Sequence, residues 1–458
     1  MESRSLTLRI THSAERRSLT PAADSSVRCR LRDRERGNVS VMTDQSSPDR
    51  ELNQVVIVGA SLAGLRAAET LRQAAFAGSV VVVGAETHRP YDRPPLSKQL
   101  LSGEWDTDRI HLRQPDVFDD LDVEWRLGTR AIDLDTEARR LRLDDGSTLG
   151  YDGLIIATGT SPRRLPGHEQ FEHVHELRTV DDALAVREEI AKGDRRVVVV
   201  GAGFIGLEVA ATAKSLGNDV IVLEGADAPL IRGLGPTMGA AIASLHHDRG
   251  VEVRCNVQIE SLTHDGVELS DGEHIEADVV VVGIGVNPAT DWLASSGLQL
   301  RDGVVCDETL RALREDDSPV EGIYAAGDVA RWPNSLFDEE MRIEHWTNAA
   351  EQGTLAANNL VNVSIGDTAE AYAALPFFWS DQYDDRIQFL GRASADDEVK
   401  IVAGSVEDRK FLALFGREGR LHGALGVNAP RWIMPTRKLF LNRASWTDAL
   451  AATSELSQ

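Results

Sequence analysis

Three cysteines in 458 residues, Cys29, Cys255 and Cys306, allow at most one disulfide, which excludes a secreted disulfide scaffold. No two of them form C-x-x-C, which removes zinc ribbons and thioredoxin-like centres, and no metal site is expected. No apolar run reaches the ~18–20 residues of a spanning helix. The nearest, Val197 to Ala213, carries Glu208 and three glycines. Positive charge is scarce too: 49 Lys and Arg against 73 Asp and Glu leave −24, a poor match for a nucleic-acid backbone. Apolar residues make up 42%, enough for a core, so wholesale disorder is excluded. At ~100–200 residues per domain, two to four domains fit. The expectation is a cytoplasmic multidomain enzyme with neither nucleic acid nor membrane as partner.

Residues 1–41 stand apart, with nine Arg, no Lys, five acids and seven Ser. They read as a disordered leader, or as translated upstream sequence with the start at Met42, and 42–52 reads as linker. Order begins sharply at Gln54-Val55-Val56-Ile57-Val58, an apolar run ended by glycine, as in a parallel strand buried on both faces. A helix follows over Leu62 to Ala75, then a strand over Ser79 to Val83. The same β-α-β pattern returns at Arg196 to Val200, Phe204 to Leu216 and Asp219 to Leu223. This duplication implies two dinucleotide-binding units in an α/β protein. Val123 to Thr148 and residues 251–270 read as β-meanders with Asp-Gly turns. Val279 to Val282 reads as a further buried strand. Beyond Phe377-Phe378-Trp379 the rhythm changes, and a separate C-terminal α+β domain closed by a helical stretch is expected.

The first glycine loop is Gly59-Ala60-Ser61-Leu62-Ala63-Gly64. The dinucleotide fingerprint wants glycine for a tight turn, for approach to the pyrophosphate and for helix–strand packing. Ser61 replaces the middle one and adds a hydroxyl donor at a helix N-terminus. Glu86 is the candidate acid for a ribose, one residue late after the second strand. The second loop, Gly201-Ala202-Gly203-Phe204-Ile205-Gly206, is a complete fingerprint, and Glu224 closes its next strand. An acid there accepts the 2′- and 3′-hydroxyls and repels a 2′-phosphate, which predicts NADH over NADPH. A third motif, Ala325-Ala326-Gly327-Asp328, sets a carboxylate at the end of an apolar strand, placed to hold a cofactor hydroxyl.

Together with Ala157-Thr158-Gly159 between the two loops, these motifs resemble the FAD- and NAD(P)-dependent pyridine nucleotide-disulfide oxidoreductases. In that family the first loop binds FAD and the second NAD(P)H. The redox C-x4-C of one branch is missing. Its place is held by Pro90-Tyr91-Asp92-Arg93-Pro94-Pro95-Leu96-Ser97-Lys98. Cys255 and Cys306 read as small core residues. The stretch from Pro90 to Lys98 is similar to FAD-dependent ferredoxin reductases of the putidaredoxin reductase and biphenyl dioxygenase reductase type, which serve haem monooxygenases and ring-hydroxylating dioxygenases. So are Arg342 to Ala349, Phe378 to Tyr383 and Gly426-Val427-Asn428. Apoptosis-inducing factors share part of the first stretch. A redox-sensing interaction protein of that kind, or an NADH oxidase or quinone-type flavoenzyme, is the alternative reading.

The resemblance implies an NADH-dependent reductase that passes hydride to FAD and single electrons to a [2Fe–2S] ferredoxin, as monomer or homodimer. It implies Lys98 and Glu208 as the pair at the reacting rings. It implies FAD contacts at Gly59, Ser61, Ala63, Gly64, Glu86, Arg93, Lys98, Ala131, Arg163 (with Arg164 as the alternative), Gly327, Asp328 and Trp346. It implies NAD contacts at Gly201, Gly203, Ile205, Gly206, Glu224 and Gly285. His345 reads as structural, and Asn348 to Glu351 as a capping box. The expected layout is an FAD domain over 53–160 and 286–368, an NAD domain over 161–285, and a C-terminal domain over 369–458. The basic stretch from Arg431 to Arg443 is the expected docking patch for an acidic ferredoxin.

Overall fold

A computed structural model describes residues 51–457; the expected leader, Met42 and Cys29 lie outside the described residues. Two parallel sheets dominate. In the first, Gln54–Val58 lies between Ser79–Gly84 and Gly153–Ile156, with Pro319–Ala325 beyond, all parallel. A strand from late in the chain thus completes a sheet begun at its start. In the second, Arg196–Val200 lies between Asp219–Leu223 and Val279–Val282, with Val174–Glu176 and Glu252–Arg254 at the edges. Each central strand is a run of β-branched residues with no exposed face: Val55, Val56, Ile57 and Val58 are at most 3% exposed. Burial of each such side chain contributes about 1.5–3 kcal/mol.

Helices Leu62–Gln73 and Phe204–Ser215 follow the two glycine loops, each one or two residues shorter than the sequence suggests. Two antiparallel meanders flank the sheets, Ala131–Gly150 and Ile259–Glu276. Both begin later than expected. Glu124–Leu127 pairs in parallel with Ser79–Gly84, and Glu252–Arg254 pairs in parallel with Asp219–Leu223. Their alternating pattern is that of sheet edges buried on one side, which sequence cannot tell from a hairpin arm.

The C-terminal part is a five-stranded antiparallel sheet from Phe377–Gln382 to Arg420–Val427, followed by helices Pro430–Leu441 and Trp446–Thr453. Its first strand meets helix Phe204–Ser215 of the second unit, where the Phe204 and Phe378 rings stand 4.6 Å apart edge to face. Cys306 is buried, as expected of a core thiol, whereas Cys255 is half-buried at the edge of the second sheet.

Candidate active site

Both glycine loops are built at the carboxyl ends of central strands, where a parallel sheet leaves its ligand crevice. Gly59 has φ +124°, and a Cβ there would run into the Ala157 carbonyl; one on Gly64 would strike the Gly59 carbonyl. Ser61 caps the following helix in extended geometry, but its hydroxyl makes no capping bond. The hydroxyl and the unpaired N–H groups of the first turn form a site for an anion. Gly201 and Gly206 repeat this geometry against Gly283 and Gly201, while a Cβ on Gly203 would meet nothing within 4 Å. Ile205 is 49% exposed at the mouth of that loop, and Gly285, at φ +101°, borders open space.

The acids after the second strands differ in their partners. Glu86 accepts from Arg93 at 2.6 Å and from the Tyr91 hydroxyl. Glu224 accepts from the backbone N–H of Ala202 at 2.7 Å and of Ala226 at 2.9 Å. The nearest strand neighbour of Glu224 is Arg254, whose guanidinium is held by Glu252 and Glu273 at 2.7 Å each.

Gly327 (φ +79°) donates to Gln352 Oε1 at 2.8 Å, and a Cβ on Gly353 would strike the Ala63 carbonyl. The Gly327–Asp328 turn is thus pressed between the first helix and helix Trp346–Ser364. Gln352 Nε2, fully buried, finds no protein partner. Burial raises the Asp328 carboxyl above the usual range, against the pull of Arg178 at 3.7 Å. Arg178 is pushed down by burial and by Arg93. Arg178, which no sequence motif marks, faces the Asp328 carboxylate, while Arg342 donates to the Asp328 carbonyl at 3.0 Å. Arg163 and Arg164 are exposed; Arg163 Nε bonds Asn287 at 2.9 Å, and Arg164 bonds Glu176. The only local sign of Arg178 is its place just before the capping box Thr179–Asp182. Ala131 opens the first meander, close after Gly128, whose N–H bonds the Glu86 carbonyl.

Lys98 Nζ stands 2.7 Å from Glu208 Oε2 on the helix of the second glycine loop, with side chains only 11% and 6% exposed. Ser97 also donates to that oxygen, and Ser380 donates to Oε1 at 2.6 Å. Breaking such a pair by removing one partner costs about 3–5 kcal/mol. Trp346 Nε1 donates to Asp92 at 2.7 Å, fixing its ring at the head of its helix. That helix begins at Trp346 with His345 as N-cap, so the expected capping box is not formed. Asn348 instead bonds the Ile343 carbonyl, and Glu351 accepts from Tyr372. His345 is held neutral by burial, its pKa pushed down to about 4.

The residues suit two dinucleotides. Each loop has glycines that only a close backbone approach explains, with a carboxylate beyond the next strand. The first crevice adds a buried amide donor without a partner.

Residues 53–353 match the family described as pyridine nucleotide-disulphide oxidoreductase, and 377–457 the one described as reductase C-terminal. The anthranilate 1,2-dioxygenase system ferredoxin–NAD(+) reductase component of Burkholderia cepacia is 40% identical over 391 residues, 84% of this chain and 93% of the relative. Rhodocoxin reductase of Rhodococcus erythropolis is 36% identical over 407 residues, 88% of this chain and 92% of the relative. Among solved structures, the covalent putidaredoxin reductase–putidaredoxin complex matches with a TM-score of 0.80 and 30% identity, over 89% of this chain and 99% of that one.

Proposed function

This chain belongs to the pyridine nucleotide-disulphide oxidoreductase family, and on that premise we propose that it is an NADH-dependent ferredoxin reductase of an oxygenase system. Its cofactors are FAD and NAD(H), and its partner is a ferredoxin. Held in the first crevice, FAD would supply the chemistry that couples two-electron hydride uptake from NADH to single-electron transfer to the ferredoxin. The observation that carries the reading is the buried Lys98–Glu208 pair, which ties the Pro90–Lys98 segment to the helix of the second glycine loop. Relatives named above are ferredoxin reductases; we infer that the partner is of the [2Fe–2S] type and that the enzyme works in the cytoplasm, where NADH is at hand. Among the described residues, no helix is long and apolar enough to cross a membrane.

In this reading 53–160 and 286–368 hold FAD, 161–285 holds NADH, and 369–458 completes the site from the third side. Gly59 and Gly64 keep the backbone against the pyrophosphate, and Ser61 and the first-turn N–H groups donate to it. Glu86, with oxygens already serving Tyr91 and Arg93, has lone pairs left for a ribose. Asp328 accepts from the polyol chain beside Arg178, and Arg163 is a further contact to FAD. Ala63 and Ala131 contribute packing. Gly201, Gly203, Ile205, Gly206 and Gly285 line the NADH crevice, and Glu224 accepts from the adenosine ribose. Lys98 sets a cation beside the flavin ring, where added negative charge is stabilised. Glu208 holds that cation in place, and Trp346 borders the ring.

The test is anaerobic mixing. Purified protein is expected to be yellow, and NADH is expected to bleach it. Adding an oxidised [2Fe–2S] ferredoxin restores the colour as the iron–sulfur centre is reduced. A protein that binds no added FAD, or whose reduced form ignores the ferredoxin, overturns the proposal.

A further inference from the structure

Glu208 is the end of a longer buried chain. Ser380 donates to Glu208 Oε1 at 2.6 Å, and Gln382 Nε2 donates to Ser380 Oγ at 3.1 Å. Gln382 Oε1 faces His246 Nε2 at 2.9 Å, and His246 Nδ1 faces the Tyr383 hydroxyl at 3.2 Å. Glu208 is 5% exposed; Ser380, Gln382 and His246 are 0%. The chain crosses three elements: the second glycine-loop helix, the first strand of the C-terminal sheet, and helix Ile231–His247.

Every proton in this chain has one possible direction. The Glu208 carboxylate, paired with Lys98, only accepts, so the Ser380 hydroxyl donates to it. The Ser380 oxygen then takes the Gln382 NH2, which leaves the Gln382 carbonyl to accept. His246 must therefore carry its proton on Nε2, and its bare Nδ1 accepts from Tyr383. Burial agrees, holding the imidazole neutral with a pKa pushed down to about 4. The outer end is anchored as well. Tyr383 sits at φ +56°, uncommon for a bulky residue, with the Arg249 guanidinium 4.3 Å above its ring. Arg249 in turn pairs with Asp385 at 3.2 Å.

We propose that Ser380 and Gln382, backed by His246, are positioning residues that aim the Glu208 carboxylate at Lys98, so that the C-terminal domain takes part in the NADH half of the reaction. The proposal rests on the reading that Lys98 and Glu208 stand beside the flavin ring. Ser380 donates one of three hydrogen bonds to Glu208, and it alone fixes Oε1. Without it only Oε2 stays held, by Ser97 and Lys98, so the carboxylate can turn about its last bond and the place of Lys98 is loosened.

The experiment uses the FAD-loaded full chain and three readouts: the single-turnover rate of reduction by NADH, the flavin midpoint potential, and the tautomer of His246 by proton–nitrogen NMR. Ser380→Ala is expected to slow reduction at saturating NADH about tenfold with NADH affinity changed less than about twofold, the loss of one charge-assisted bond. It is also expected to shift the midpoint potential, which a loss of packing alone leaves in place. Ser380→Thr keeps the hydroxyl and restores most of the rate. Gln382→Glu keeps the shape but only accepts, so the single Ser380 proton faces two carboxylates and the rate falls as in Ser380→Ala. Lys98→Met separates the two readings. If it changes rate and potential while Ser380→Ala changes neither, this inference fails and the Lys98–Glu208 reading stands. If Lys98→Met also changes neither, both fall. In the wild type His246 is expected as the Nε2–H tautomer; an Nδ1–H imidazole overturns the chain's direction whether or not the variants fold.

Discussion

The two glycine-loop crevices share one grammar and differ in what holds their acid. In the second, Glu224 ties down its own loop through two backbone N–H groups. In the first, Glu86 is tied by side chains, Tyr91 and Arg93, from a segment that also supplies Lys98. Backbone partners keep the Glu224 tie local, between residues 202 and 226. Side-chain partners tie the first to distant parts: Arg93 donates to the Arg178 carbonyl, Asp92 accepts from Trp346, and Asp328 arrives on a strand from late in the chain. On the proposed reading, the second crevice would admit and release a nucleotide and the first would keep one.

The hardest way to break this comparison is at the glycines. Gly59→Ala forces a Cβ into the Ala157 carbonyl at a positive φ, with the Ala157–Thr158 backbone nearest and no side chain to yield. We expect it to abolish FAD retention, seen as colourless or insoluble protein. Gly203→Ala adds a methyl to open space. It is expected to leave folding and FAD content intact and to raise the KM for NADH, since the methyl lies where the pyrophosphate approaches. Equal FAD loss in both would show that the loops are not separate devices.

Asp328→Ala comes next. Removing a charge-assisted hydrogen bond costs about 1.5–3 kcal/mol, or about 10- to 150-fold in affinity. Dialysis against apo-flavodoxin or gel filtration followed by the 450 nm band reads the loss. NADH affinity measured on protein resaturated with FAD is expected to stay near normal. The substitution also leaves Arg178 and Arg93 with less to neutralise them, so added chloride or phosphate is expected to slow FAD rebinding.

Coenzyme choice sharpens the comparison from the other side. NADH is expected to exceed NADPH in kcat/KM by at least about tenfold, since a 2′-phosphate against Glu224 costs more than ~1.4 kcal/mol. Glu224→Gln is expected to narrow the ratio by raising the NADPH value, with FAD content unchanged. Equal rates with both coenzymes in the wild type would mean that Glu224 does not face the ribose.

What was legible in the sequence follows the same division. The strand–loop–helix units rest on contacts within about 30 residues, and their continuous valine runs and glycine spacing are local signs. The surroundings of Glu224 are local, because its partners are its own neighbours. Arg178 could not be read, because nothing near it in sequence says that the chain returns it to Asp328, while Arg163 and Arg164 sat beside a recognisable motif. Glu124–Leu127 and Glu252–Arg254 read as hairpin arms because a sheet edge and a hairpin share one alternation. Helix Trp346–Ser364 begins before Asn348 because Asn348 and Glu351 are drawn to Ile343 and Tyr372. The chain from Glu208 to His246 joins residues up to 172 apart in sequence, and no periodicity reports on it.

The smallest effect is expected where charges are held by nothing buried. On helix Pro430–Leu441, Ile433, Thr436 and Phe440 face inward. Arg431, Met434, Arg437, Lys438 and Leu441 are exposed, a face of bases around two apolar side chains. Arg443 beyond it is spent on Asp338 at 3.2 Å. Outside residues 1–41 the formal charge is −28, since those 41 residues carry +4 of the total −24, so an acidic ferredoxin meets overall repulsion and needs a local attractive patch. Exposed charges act over a Debye length of ~8–10 Å, which suits a patch of this size. Arg437→Glu with Lys438→Glu is expected to slow ferredoxin reduction about three- to tenfold at low ionic strength, through the on-rate, with the difference closing as salt is added. Reduction of ferricyanide by NADH is expected to stay near normal, because neither glycine-loop crevice is touched. Unchanged ferredoxin rates at low salt would put the docking face elsewhere, and a parallel fall in ferricyanide reduction would show that this helix supports the site and not the partner.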